Sequence, residues 1–267
     1  MREEFLYRNI NGPRDVRTGR RKHLLGLAIF DGDDTLWSTQ PLYEGAKQKF
    51  ALLIRQSGFT EGDVVGLLDS IDAERVATAG YSTTRFRDSM VKTYEVLSSR
   101  HGRAPAPSVI HRIQDFANEV FLSSPLVYPE VPASLEAIAV GYNLALLTKG
   151  DREVQRRRIQ AADLGNLFDA LYVVSDKGSG VYRQVLGDFG EASARAWAVG
   201  NSIKSDINPA LRVGIRGILI KRTTWLYEEA ELEHGDVSVA YDLGEAVAII
   251  AERDGAHMLE VGSEHPQ

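Results

Sequence analysis

The chain has 267 residues, 43% of them hydrophobic and 25% charged, with a net charge of −6 and no cysteine. That length supports one large domain or two small ones with a sizeable core, and the charge offers no footing for a nucleic-acid partner. Without cysteine there are no disulfides, no thiolate chemistry and no Cys-based zinc sites; no apolar run approaches the roughly 20 residues that span a bilayer, so a cytoplasmic protein with no membrane partner is expected.

The first 23 residues carry seven Arg or Lys against three Asp or Glu. They lack the apolar segment of a secretion signal and read as a solvated basic arm over 1–23. Apolar runs then mark buried strands at 24–30 (LLGLAIF), 143–148 (NLALLT), 171–175 (LYVVS), 196–200 (AWAVG) and 217–220 (GILI). Helix-like stretches separate the later runs: PASLEAIAV, DREVQRRRIQAADLG, GVYRQVLGDFG and SDINPALRVG. Strand alternating with helix predicts an α/β fold with a doubly wound parallel sheet, whose ligands sit beyond the carboxyl ends of the strands. The alternation breaks once. Between Trp37 and Tyr128 the pattern gives four helices, about 41–57, 61–78, 83–101 and 107–122, punctuated by Gly or Pro. The expected organisation is a core over 24–40 and 129–267, interrupted by a helical domain over 41–128.

Each predicted strand end carries a particular polar group. The first ends in Asp31-Gly32-Asp33-Asp34-Thr35, the second in Thr148-Lys149-Gly150, the third in Ser175-Asp176-Lys177, and the fourth runs from Gly200-Asn201-Ser202 to Ser205-Asp206. A parallel sheet brings such ends to one crevice. Three carboxylates within four positions repel one another and resist desolvation, so a cation or a reaction must offset the cost. Oxygen donors suit Mg²⁺, which keeps waters and binds substrate phosphate, while a lysine and a hydroxyl can hold the remaining phosphate oxygens. An EF-hand loop starting at Asp31 fails, because its sixth and twelfth positions are Leu36 and Leu42. Ser202 is no nucleophile elbow, since the required second glycine is Lys204.

From residue 24 to about 250 the chain resembles the haloacid dehalogenase-like superfamily, in its phosphatase branch with an α-helical cap inserted after the first strand. Four separated motifs carry the resemblance: the strand plus D-x-D-x-T (Asp31, Asp33, Thr35), Thr148, Lys177, and G-N-S-x-x-S-D from Gly200 to Asp206. It implies that Asp31 is the nucleophile and Asp33 the general acid and then base. It further implies that Thr148, with Lys149 beside it, and Lys177 serve the phosphoryl group. Asp31, Asp33 through its backbone carbonyl, Asn201 and Asp206 then hold Mg²⁺. Asn201 departs from the family pattern, which has Asp there, and brings no charge to the metal. Asp34 occupies the motif's permissive fourth position and is expected to face away as a cap or surface carboxylate.

The reading that follows is a Mg²⁺-dependent phosphomonoesterase for a small phosphorylated metabolite. A phosphomutase uses the same residues. A 2-haloacid dehalogenase lacks the second motif aspartate, and a non-catalytic binding protein has only Asn201 in its favour. Arg85 and Arg87 are read as surface or salt-bridge groups, with substrate contact as the alternative. Trp37 is read as core or as lining of the cleft.

Overall fold

A computed structural model describes residues 5–8, 24–60, 62–79, 82–222 and 228–262. The strands are β1 (Phe5–Arg8), β2 (Gly26–Phe30), β3 (Trp37–Ser38), β4 (Leu126–Val127), β5 (Tyr142–Lys149), β6 (Ala170–Val174), β7 (Ala196–Gly200), β8 (Arg216–Ile220) and β9 (Val237–Ala240). The α-helices are α1 (Gln40–Gln56), α2 (Val64–Ala79), α3 (Thr83–Arg100), α4 (Pro107–Leu122), α5 (Val131–Ala139), α6 (Arg152–Ala162), α7 (Ser179–Phe189), α8 (Asn208–Leu211) and α9 (Leu243–Gly262). Contacts divide the chain into a sheet unit (Met1–Ser38, Val127–Lys149, Ala162–Gln267) and a helical unit (Thr39–Leu126, Gly150–Ala161).

In the sheet unit the strand order is β1-β6-β5-β2-β7-β8-β9. The strands from β6 to β9 are mutually parallel, and β1 adds to the β6 edge antiparallel. This is the predicted doubly wound α/β sheet. β2 lies at its centre, every one of its residues buried, because a strand covered on both faces needs a continuous apolar run rather than an alternating one. One face gathers Leu27, Ile29, Leu147 and Tyr172 with Val181 and Val185 of α7. α5 and α9 pack on each other, α5 also against β5 and α9 against β8.

Four strands go beyond the sequence reading: β3 and β4, two residues each, pair in a small sheet of their own, and β1 and β9 flank the large one. β9 (VSVA) is short, half-exposed and polar at Ser238, so no apolar run announces it. β1 corrects the expectation of a solvated arm: FLYR supplies the aromatic and aliphatic residues that suit an edge strand, although charged neighbours mask it. The rest of that arm, 1–4 and 9–23, lies outside the described residues.

The helical unit contains α1 to α4, close to the four predicted spans, around a core that includes Phe50, Ile54, Phe86, Met90, Tyr94 and Ile113. Arg85 is buried and paired with Asp72, and Arg87 pairs with Asp88. Residues 150–161, expected within the core, group with these helices.

At the amino ends of the strands a polar clamp fixes α9. Asp254 accepts from the Tyr142 hydroxyl, from Trp197 Nε1 at 3.1 Å, and from both Arg216 terminal nitrogens at 2.5 and 3.2 Å. The Arg216 guanidinium also stacks 4.0 Å from the Trp197 ring centroid. Burial opposes the Asp254 charge, but hydrogen bonds from Arg216, Tyr142 and Trp197 outweigh it and hold the carboxyl below its usual range. A depressed carboxylate stabilises the fold fully above its ordinary pKa of about 3.9 and loses that contribution as pH falls through the lower folded value. Asp254→Ala is therefore expected to cost about 2–3 kcal/mol in urea unfolding at neutral pH. The deficit should shrink towards about pH 3; an equal deficit at both pH values counts against the clamp.

Candidate active site

β2 delivers Asp31 to the carboxyl edge of the sheet, and the Asp31 N–H continues the ladder to the Val199 carbonyl at 2.9 Å. The chain then coils tightly, the Gly32 carbonyl accepting from Thr35, Leu36 and Trp37 at 3.2, 2.8 and 3.3 Å. A Cβ on Gly32 would lie 2.6 Å from the Trp37 ring and 3.4 Å from Thr148 Oγ1, so this position has room only for glycine. Asp34 adopts a left-handed conformation, φ 62°, which Asp tolerates better than most residues. It is 4% exposed, which corrects the expected surface carboxylate: the coil turns it inwards. Asp33 Oδ1 accepts from the indole N–H of Trp37 at 2.7 Å. Trp37, read as core or cleft lining, is fully buried and also anchors Asp33.

Lys177, just beyond β6, carries its ammonium between two carboxylates, donating to Asp31 and, at 2.7 Å, to Asp206 Oδ1. All three groups are at least nine-tenths buried. Burial opposes the charge on Lys177, but Asp206 and Asp31 outweigh it and hold the ammonium above its usual range. Asp31 is pushed up to about 7 by burial, against the pull of Lys177 and with Asp206 and Asp33 adding to the push. Asp206 sits in a π-helical turn over Ile203–Ile207, its Oδ2 accepting the Ser202 N–H at 2.9 Å. Its carboxyl presses so close to Gly200 that a Cβ there would lie 2.3 Å away.

The remaining predicted residues arrive from neighbouring strand ends. Asn201 Oδ1 accepts from Thr35 Oγ1 at 3.3 Å. The Thr148 hydroxyl is buried and has no hydrogen-bond partner among the described residues, a deficit of about 1–3 kcal/mol that an incoming acceptor would repair. Lys149 is engaged elsewhere: its ammonium donates to Glu228 Oε1 at 2.6 Å and to Ser205 Oγ at 2.7 Å. Glu228 also accepts from Ser202 Oγ and Ser205 Oγ at 2.6 and 2.5 Å. Burial alone would raise the Glu228 carboxyl, but Lys149 and the two serines bring it down to about 2. Sequence reasoning missed Glu228, which stands among Glu229, Glu231 and Glu233 with only its burial to distinguish it.

Among the described residues no three of His, Cys, Asp and Glu form a ready-made metal cage. The donor set nonetheless suits a hard divalent cation. Two buried carboxylates, Asp31 and Asp206, share one ammonium, Lys177, an excess of one negative charge, and Asp33 lies near enough to Asp31 to act on its charge; the Asn201 amide oxygen lies against Thr35 of the same coil. Mg²⁺ needs few protein oxygens, because it keeps waters and takes up substrate phosphate.

The family model for haloacid dehalogenase-like hydrolases matches residues 25–214. A phosphoserine phosphatase of Thermus thermophilus is 33% identical over 102 residues, covering 36% of this chain and 41% of that protein, so the match spans less than half of that relative. A haloacid dehalogenase-like hydrolase structure from Xanthomonas campestris superposes with a TM-score of 0.72 at 26% identity, over 88% of this chain and 100% of that one. The L-2-haloacid dehalogenase of Xanthobacter autotrophicus shares the fold, with a TM-score of 0.58 at 17% identity over 85% and 98% of the two chains. With its sequence matched over residues 25–214 and its fold shared along nearly its whole length, the chain belongs to the haloacid dehalogenase-like hydrolases.

Proposed function

We propose that this hydrolase is a Mg²⁺-dependent phosphomonoesterase that acts through a phospho-aspartate on a small phosphorylated metabolite, in the cytoplasm. The observation that carries the reading is Asp33, two residues beyond the nucleophile and held in place by the Trp37 indole. Expelling an alkoxide from phosphorus needs a proton donor; expelling a halide from carbon does not. A dehalogenase would have no use for a second carboxylate so firmly held.

In the proposed reaction the Asp31 carboxylate attacks phosphorus, and Asp33 gives its proton to the departing oxygen. Asp33 then takes a proton from the water that attacks the aspartyl phosphate, which releases inorganic phosphate and regenerates Asp31. The unpartnered Thr148 hydroxyl and the Lys177 ammonium donate to the phosphoryl oxygens. Asp31, the Asp33 backbone carbonyl, Asn201 and Asp206 would hold Mg²⁺, which when bound would supply charge neutralisation and substrate orientation. The helical unit is read as the cap of the family. Among the described residues no helix is long and apolar enough to cross a membrane.

The test is a screen of small phosphorylated metabolites, phosphoserine included, for phosphate release with Mg²⁺ and with EDTA, beside 2-haloacids for halide release. Phosphate release that needs Mg²⁺ is expected. Halide release without phosphate release overturns the reading, and an isomeric phosphate ester in place of free phosphate identifies a mutase. Trp37→Phe keeps an apolar ring but removes the donor to Asp33. It is expected to lower kcat roughly tenfold with KM little changed, the worth of one hydrogen bond to a charged group. Unchanged turnover in the folded variant counts against that anchor.

A further inference from the structure

Glu228 lies in the connection between β8 and β9, outside all four motifs, and its carboxylate joins two of them. One oxygen takes the Lys149 ammonium at the end of β5; the other takes the hydroxyls of Ser202 and Ser205. Ser202 is itself bound on three sides. Its hydroxyl donates to Glu228 and accepts the Ser205 N–H at 3.0 Å, while its own N–H holds Asp206 Oδ2 at 2.9 Å. A continuous chain of contacts thus runs from Glu228 through Ser202 to Asp206, then to Lys177 and Asp31. Without the carboxylate, a largely enclosed ammonium, its side chain 11% exposed, would lose its salt-bridge partner beside Thr148, next to the proposed phosphoryl position.

We infer that Glu228 is a positioning residue: it neutralises Lys149, keeps that lysine off the phosphoryl group, and fixes the Ser202–Asp206 turn so that Asp206 stays paired with Lys177, beside Asp31. The inference rests on the phosphohydrolase reading for its activity readout. Its charge logic also separates it from a simple brace. Glu228→Gln leaves an amide oxygen for the two serines but removes the charge that Lys149 requires.

The experiment compares Glu228→Gln, Lys149→Met and the double variant, reading Mg²⁺ affinity by calorimetry without substrate, kcat, KM and melting temperature. Glu228→Gln is expected to weaken Mg²⁺ binding and lower kcat by about 10- to 100-fold, the usual penalty for losing an outer-shell partner, with KM little changed. The double variant should recover most of both, since the uncompensated ammonium is gone. A folded Glu228→Gln protein with native Mg²⁺ affinity and turnover overturns the inference, whatever its melting temperature. So does a double variant that fails to recover, which also decides the matter if the single variant does not fold. A wild-type protein that binds Mg²⁺ but releases no phosphate refutes the proposed reaction, while the calorimetry still tests Glu228. One that does neither overturns both.

Discussion

Asp31→Asn will abolish phosphate release, lowering kcat by roughly 10⁴-fold or more, as the loss of a covalent nucleophile does. The Asn side chain fits the same space and can still accept from Lys177, so the protein should fold and bind Mg²⁺ weakly; what it lacks is the anionic oxygen that attacks phosphorus in the proposed reaction. Asp33→Asn separates the reactions this fold can host. In a phosphomonoesterase it removes the proton donor for the leaving oxygen and the base for water, which is worth about 10²- to 10⁴-fold. The loss should be smallest for an aryl phosphate, whose leaving group departs without a proton. With such a substrate the first step still proceeds and the second stalls, so phosphate should accumulate covalently on the Asp31 peptide, where mass spectrometry detects it. A dehalogenase would lose its activity with Asp31→Asn but keep it with Asp33→Asn. Phosphate release that survives Asp31→Asn removes the covalent mechanism altogether.

The parts of this molecule visible in the sequence share one physical cause. Strands β2, β5, β6, β7 and β8 are largely buried on both faces, so each is rich in apolar residues up to the carboxyl edge of the sheet, where the apolar run ends abruptly. That abrupt ending is why Asp31, Thr148, Lys177 and Asn201 could be found without coordinates. β9 is half-exposed and four residues long, and β1 lies within a basic stretch, so neither carries the run. The site was legible as a set of residues but not as a wiring pattern. Lys149 stands beside Thr148 in sequence, and only the fold reveals that its charge is taken up by Glu228, 79 residues away. Asp34 shows the same limit, since nothing in DGDDT distinguishes an inward carboxylate from an outward one until φ turns positive there. The pairing of Trp37 with Asp33 is local, four residues apart, yet it depends on the coil around Gly32 that lets the ring fold back.

Lys177→Met will destabilise the protein by about 3–5 kcal/mol in EDTA, because it leaves Asp31 and Asp206 buried with no cation between them. For a chain of this size that corresponds to a fall in melting temperature on the order of 10 °C. The methionine fills similar volume, so little of the loss comes from packing. Two further signatures distinguish charge from cavity. First, a cation that binds only the folded state stabilises it in proportion to the logarithm of its concentration. Mg²⁺ should therefore raise the melting temperature of the variant more than that of the wild type, while phosphate release stays low for want of the lysine. Second, Asp31 is already pushed up to about 7 with Lys177 present, and removing that ammonium pushes it further. A carboxylate whose folded pKa is raised binds more protons folded than unfolded, so stability is highest below its unfolded value near 4 and declines as pH rises through the folded one. In EDTA the variant should accordingly be more stable at about pH 5 than at about pH 8, the opposite of the trend at Asp254. A Lys177→Met protein that melts with the wild type in EDTA, or is indifferent to pH across this window, shows that the ammonium does not bridge the two carboxylates.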